Sequence, residues 1–114
     1  MTTVVLKSEN VLLADMRRRF ARCLEISRRK NADYAGDEDP FACFRVAAMV
    51  GVDPARAILV RVTDKLARIS RLLDHEPAVA DEPLRDSVDD AINYLALLGA
   101  LVESERLSAR GVGE

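Results

Sequence analysis

The chain has 114 residues, of which 49% are hydrophobic, 32% are charged and only 4% are aromatic. This length predicts one domain, and the high content of Ala, Leu, Val and Arg favours helices over strands. The net charge of −2 argues against strong nonspecific binding to nucleic acid, and no apolar run reaches membrane-spanning length. The short apolar run Val4-Val5-Leu6 lacks the basic region and cleavage site of a signal peptide.

The first predicted helix runs from about Glu9 to about Asn31. Its apolar residues recur at helical spacing, and its other face carries arginines that are predicted to be solvated. These arginines are Arg17, Arg18, Arg19, Arg22, Arg28 and Arg29. Cys23 on this helix and Cys43 on the next are predicted to be reduced core thiols, which is typical of a cytoplasmic protein.

Two further helices are predicted from residues that are typical of helix starts and ends. Asp39 is expected to cap helix two, with Pro40 in its first turn and Gly51 at its end. Helix three begins in the same way at Asp53 and Pro54 and is predicted to reach about residue 73. Its predicted buried stripe consists of Ile58, Val62, Leu66, Ile69 and Leu73.

Helix four is predicted from about Pro83 to about Leu107, and the flanking tails 1–8 and 108–114 are expected to be frayed. Its second half, Tyr94 to Val102, is apolar almost all round. A helix of that kind is buried on most sides, and in so small a domain a second copy of the chain is the simplest cover. The sequence therefore predicts a homodimer at least, with a tetramer as the other form.

Several acids on helices three and four predict a metal site. Asp86 and Asp90 are four residues apart and share one helix face, where they repel each other unless a cation lies between them. Asp64 supplies a third carboxylate if helices three and four pack antiparallel. Mg²⁺, which prefers carboxylate and phosphate oxygens, is the expected cation, with Mn²⁺ as a substitute. The alternatives are that Asp64 forms a surface ion pair with Arg68, and that the acids of helix four simply face water.

At these residues the chain resembles a family. The pattern Lys30-x-x-Asp33-Tyr34, then Asp64-Lys65-x-x-Arg68, then Asp86-x-x-x-Asp90-x-x-Asn93-Tyr94 looks like that of the MazG-like all-α nucleotide pyrophosphohydrolases. The likeness is to small, mostly phage-borne members and to phage domains associated with nucleotide modification. It covers roughly residues 20–100. It implies an oligomeric four-helix bundle that cleaves a nucleoside triphosphate to the monophosphate and pyrophosphate with Mg²⁺.

The expected roles follow from phosphate chemistry. Asp64, Asp86 and Asp90 are the predicted metal ligands and catalytic residues, and cations neutralise the leaving pyrophosphate. Phe41, Phe44 or Tyr34 is expected to stack on the base, and dGTP is the first substrate suggested by the phage relatives. The full set predicted to bind substrate is Lys30, Asp33, Tyr34, Lys65, Arg68, Asn93 and Tyr94.

The chain departs from the family pattern at two positions. Arg61 and Ser87 stand where the spacing predicts acidic ligands, although Asp86-x-x-Asp89 also fits the second motif. Glu25 is one candidate for a replacement ligand.

Two other functions remain open. The segment Ala47 to Pro54, followed by Arg56 and Arg61, reads as the first helix and turn of a helix-turn-helix regulator of DNA. Against this, the second helix is long for a recognition helix, and the chain is net acidic. The third possibility is a helical scaffold or partner-binding module without catalytic activity.

Overall fold

The computed structural model describes the backbone of residues 2–34, 39 and 41–111, and the side chains of these residues apart from 2–9, 31–34 and 77–79. In this part of the chain there are four α-helices, one 3₁₀-helix and no strand, so the predicted all-α class is confirmed. The α-helices are α1 (Thr2–Tyr34), α2 (Ala42–Arg45), α3 (Pro54–Leu72) and α4 (Pro77–Ala109). The 3₁₀-helix, Val46–Val50, directly continues α2.

Capping residues in the local sequence explain where α3 begins. The side chain of Asp53 accepts a hydrogen bond of 2.9 Å from the backbone N–H of Arg56, and Pro54 occupies the first turn, where its missing N–H is not needed. Gly51 ends the preceding 3₁₀-helix with a φ of 82°, a left-handed conformation that glycine adopts without steric cost. The predicted starting point of helix three is therefore confirmed.

Helix α4 begins at Pro77 rather than at the predicted Pro83, which lies inside it. A proline within a helix removes the hydrogen bond to the carbonyl group four residues before it. Ala80, in the turn that precedes Pro83, is buried, so packing against the rest of the chain accompanies this first segment of the helix. Helix α1 is also longer than predicted, since it begins at Thr2 and ends at Tyr34.

The core lies between α3 and α4, which pack along each other. Ile58 and Val62 of α3 are buried as predicted, but Leu66 and Leu73 are exposed, which corrects the predicted stripe. The residues that face α4 recur as 58, 62, 65 and 69, and successive helical residues point about 100° apart, so Leu66 and Leu73 turn away. On α4, Leu101 is buried, whereas Leu95 is half exposed, so the apolar stretch is covered only in part.

Helix α1 contacts α4 alone among the described elements. Cys23 is buried at this junction, as predicted, but Cys43 on α2 is exposed, which corrects the prediction of a second core thiol. The radius of gyration is 17.6 Å, against about 13 Å for a compact domain of about 100 residues. A single copy of the chain is thus elongated, with dimensions of 53 × 33 × 24 Å.

Candidate functional site

Two contacts join the predicted cationic residues of α3 to the acidic segment of α4. The Lys65 ammonium lies 3.0 Å from a carboxylate oxygen of Asp90, and the Nε of Arg68 donates a 3.1 Å hydrogen bond to the hydroxyl of Ser87. As the residue number rises on α3, that of the partner on α4 falls, so the two helices are antiparallel, as predicted. We call these four residues the α3–α4 patch.

Ser87 sets the position of the Arg68 guanidinium group. Its side chain is buried, and its hydroxyl donates a 2.8 Å hydrogen bond to the carbonyl oxygen of Pro83. The hydroxyl hydrogen is therefore committed, and the oxygen is left to accept from Arg68. Because Arg68 uses only Nε here, its two terminal nitrogens have no protein partner among the described residues. Ser87 was noted in the sequence only as a departure from the family motif.

The other two predicted metal ligands point away from the patch. Asp64 is exposed, and Asp86 is 65% exposed, with its carboxylate 3.9 Å from Arg85 of the same helix. Each directly precedes a residue that faces the neighbouring helix, Lys65 or Ser87, and consecutive helical residues diverge by about 100°. Among the described residues, no group of three or more His, Cys, Asp or Glu side chains is arranged to hold a metal ion. The predicted shared site of Asp64, Asp86 and Asp90 is therefore not formed within one chain, and metal binding itself stays a prediction.

Among the described residues, the most buried charge is that of Asp89, whose role was not recognised in the sequence. Its side chain is 1% exposed and receives hydrogen bonds of 2.6 and 3.1 Å from Arg22 and one of 3.2 Å from Arg19. Burial opposes ionisation and raises the pKa of this carboxyl, but the two guanidinium groups outweigh that effect, and the net pKa lies below its ordinary value. The prediction that Arg19 and Arg22 belong to a solvated face was wrong, since both fasten α1 to α4.

Glu25, the candidate replacement ligand, already binds two arginines of its own helix. Its carboxylate accepts hydrogen bonds of 3.0 and 2.7 Å from Arg28 and one of 3.1 Å from Arg29. The hydrogen bonds from Arg28 have the largest effect and the one from Arg29 a smaller effect, and together they lower the pKa of Glu25 to about 2. Its oxygen atoms are thus used for intrahelical ion pairs rather than directed at the α3–α4 patch.

An aromatic pair lies next to the α3–α4 patch. The rings of Phe44 and Tyr94 meet edge to face, with centroids 6.4 Å apart and planes at 84°. Tyr94 follows Asp90 by one helical turn, or about 6 Å along the axis of α4. Phe41 instead lies under the guanidinium of Arg45, 5.9 Å from its ring centroid. Of the two predicted base-stacking residues with described side chains, Phe41 and Phe44, Phe44 is the one that contacts Tyr94 next to the patch.

The remaining predicted substrate-binding residues are not gathered at the patch by any described contact. Asn93 is half-buried on α4, and Lys30 is exposed near the end of α1. The side chains of Asp33 and Tyr34 lie outside the described residues.

The segment considered as a helix-turn-helix consists of α2 and the 3₁₀-helix, a turn at Gly51 and then α3. The turn at Gly51 leads into α3, and Arg61 on α3 is exposed. Arg56, at the start of α3, has its guanidinium 2.6 Å from the carboxylate of Asp53, so the charge of Arg56 is partly neutralised within the chain. Both the helix-turn-helix assignment and DNA binding stay predictions.

Comparisons of the chain with protein-family models, with curated proteins and with solved structures find no match. In the described part of the chain, no helix combines the length and the apolar character that crossing a membrane requires.

Proposed function

We propose that the chain cleaves a nucleoside triphosphate, with Mg²⁺, to the monophosphate and pyrophosphate at the α3–α4 patch. The observation that carries the proposal is the cross-helix set in which Lys65 meets Asp90 and Arg68 meets Ser87. It places two cations and a carboxylate together on a partly exposed surface. This is the chemistry that the resemblance to the MazG-like pyrophosphohydrolases implies.

The two cations suit a polyphosphate. The guanidinium of Arg68 is held through Nε, and its two terminal nitrogens have no hydrogen-bond partner among the described residues, so they remain available as a pair of donors. Arginine donors in this arrangement match phosphate oxygens, and hydrogen bonds between charged groups are stronger than neutral ones. Lys65 lies one helical turn before Arg68 and contributes a second positive charge on the same side of α3. Together these two residues bind and neutralise the phosphates, including the departing pyrophosphate.

The aromatic pair suits a base. Tyr94 lies one helical turn beyond Asp90 and contacts Phe44 of α2, and a flat base stacks well on an aromatic ring. The triphosphate then runs along α4 from the aromatic pair towards Lys65 and Arg68. A purine deoxynucleotide, dGTP, is the first substrate to test, because the resemblance suggests it.

In this proposal, Mg²⁺ is held by the substrate phosphates and one carboxylate rather than by the three carboxylates that the sequence predicted. Asp64, Asp86 and Asp90 do not share a site in one chain, so no step is assigned to an ion that all three hold. Mg²⁺ commonly binds through one or two carboxylates together with substrate phosphates, and it keeps several waters. Asp90 is the only one of the three acids with a contact in the α3–α4 patch, and we expect it to contact a triphosphate that arrives as its Mg²⁺ complex.

The decisive experiment is product analysis with a panel of ribo- and deoxyribonucleoside triphosphates, with Mg²⁺, with Mn²⁺ and with a chelator. We expect a monophosphate and pyrophosphate, and no turnover with the chelator. Lys65→Met and Asp90→Asn should each lower kcat/KM by about 100-fold, as expected for loss of one charged group that stabilises the transition state. Asp74→Asn is the matched control. It makes the same chemical change as Asp90→Asn, but at an exposed residue in the turn after α3.

Four outcomes would overturn the proposal. A diphosphate and orthophosphate as products would place the attack at the terminal phosphorus. Equal activity of Asp90→Asn and Asp74→Asn would remove the α3–α4 patch from the reaction. No turnover of any triphosphate, together with salt-sensitive binding to duplex DNA, would favour the helix-turn-helix regulator. If neither turnover nor DNA binding is detected, the partner-binding module is the remaining function.

A further inference from the structure

Helix α1 carries an apolar stripe that nothing in the described chain covers. Its members are between 39% and 72% exposed: Leu12, Leu13, Met16, Phe20 and Leu24. The side of α1 that meets α4 is a different one, formed by Arg19, Arg22 and Cys23. Helical geometry accounts for the separation, because four members of the stripe recur every four positions and the mean direction of the stripe lies roughly 100° around the axis from the mean direction of the residues that contact α4, although Leu12 and Met16 lie close to the boundary between the two sides. We call this surface the α1 stripe.

The described part of the chain buries few of its hydrophobic residues, although 49% of the sequence is hydrophobic. Within the described residues, only six hydrophobic side chains are buried, and three of them are Cys or Ala: Cys23, Ile58, Val62, Ala80, Ala91 and Leu101. Apolar patches beyond a few hundred Å² are uncommon on monomers and mark interaction surfaces. Permanent cover of such a surface requires a partner that is present wherever the chain is. A second copy of the same chain meets that requirement.

We propose that the α1 stripe is covered by the α1 stripe of a second copy, with the two helices antiparallel about a two-fold axis at residue 18. Leu12, Met16, Phe20 and Leu24 follow one another at intervals of four and are symmetric about this position. An antiparallel partner therefore sets Leu12 opposite Leu24 of the partner subunit and Met16 opposite Phe20 of the partner subunit. The surface is thus complementary to itself, which is the condition for a two-fold interface. Its polar side, where Arg18 pairs with Asp15 and Arg28 with Glu25, stays in water.

The size of the α1 stripe fits this partner. A large apolar or aromatic side chain offers about 150–250 Å² of surface, so the exposed fractions of the five members correspond to on the order of 500 Å² per chain. A typical stable interface buries about 800 Å² on each partner. The 33-residue helix α1 is about 50 Å long, so the polar residues beside the stripe supply the remaining area. This location differs from the one that the sequence predicted, the second half of α4, where Leu101 is already buried within the chain.

Cross-linking tests the arrangement directly. In a Cys43→Ser background, which removes the exposed native thiol, a chain carrying both Leu12→Cys and Leu24→Cys should be joined into a dimer by a short bifunctional maleimide. Positions 12 and 24 of one chain are about 18 Å apart along the helix, so a short linker joins them only between chains. Each single variant is the control and should stay uncross-linked, because like positions are equally far apart across the two-fold axis. Cross-linking of the single variants, or none in the double variant, would overturn the antiparallel pairing.

Oligomeric mass supplies an independent test that does not depend on the reaction. By light scattering, the parent chain should have twice the 12.6 kDa mass of one copy. Leu24→Glu should halve that mass, whereas Leu73→Glu should leave it unchanged, since Leu24 and Leu73 are similarly exposed at 72% and 67%. Helix content by circular dichroism shows whether each variant is still folded. A monomeric parent chain, a dimer that survives Leu24→Glu, or dissociation by Leu73→Glu alone would each refute the α1 interface.

Discussion

Replacement of Asp89 by asparagine tests how α1 is held on the rest of the chain. The substitution keeps the size of the side chain but removes a charge that is 1% exposed and that binds both Arg19 and Arg22. Removal of one partner of a buried ion pair typically costs about 3–5 kcal/mol. The cost here should be lower, because the Arg19 and Arg22 side chains are 28% and 36% exposed and regain water. We expect a loss of about 2–3 kcal/mol, based on about 1.5–3 kcal/mol for hydrogen bonds to charged groups.

Thermal unfolding measured by far-ultraviolet circular dichroism, at equal protein concentrations, provides the assay. A loss of this size corresponds to a decrease in Tm of about 10 °C for a domain of this length. Asp15→Asn is the matched control, because Asp15 also pairs with Arg19, at 3.5 Å, but is half exposed. Exposed pairs contribute about 0–1 kcal/mol, so the control should lower Tm by no more than a few degrees. Equal Tm values for the two variants would refute the idea that Asp89 anchors α1.

The pH dependence of the same variant provides a second check. The pKa of Asp89 in the folded chain lies below its ordinary value, because Arg22 and Arg19 outweigh the opposing effect of burial. The stabilisation is therefore fully present above the unfolded-state pKa of about 4, and it is lost as the pH falls through the folded-state pKa. The difference in unfolding free energy between the parent chain and Asp89→Asn should be constant near neutral pH and should shrink in acid. A difference that grows as the pH falls would contradict this assignment.

Three further predictions concern separate parts of the chain. The exposed Cys43 should react with a thiol reagent within the folded protein, whereas Cys23, buried and with its pKa raised by burial, should react only on unfolding. Gly51→Ala should destabilise the chain by about 1 kcal/mol because its φ is 82°, whereas Gly99→Ala, in the middle of α4 with open space around it, should stabilise it by about 0.5–1 kcal/mol in urea unfolding. In a carboxyl NMR titration, Glu25 should have a pKa of about 2, and a value near the ordinary one would show that Arg28 and Arg29 do not hold it.

The sequence alone determined the helical class and the local boundaries of α3. Asp53 caps a backbone N–H of the helix, Pro54 has a fixed φ, and Gly51 adopts a left-handed φ. Each of these effects involves only residues within four positions in the sequence, so it can be predicted without knowledge of the fold. The sequence also predicted that α3 and α4 pack antiparallel, because the turn between them is short, but it placed Asp64 against the acidic segment of α4, where the structure has Lys65 and Arg68.

Only the tertiary structure decided which side of each helix is used and which charges are buried. A shift of one residue turns a helical side chain by about 100°, so Lys65 and Ser87 face inward while Asp64 and Asp86, one position earlier, face water. Arg22 and Asp89 are 67 positions apart, and no local rule distinguishes that pair from the solvated charges around it. Their contact arises only because α1 packs on α4, which the spacing of residues in the sequence does not predict.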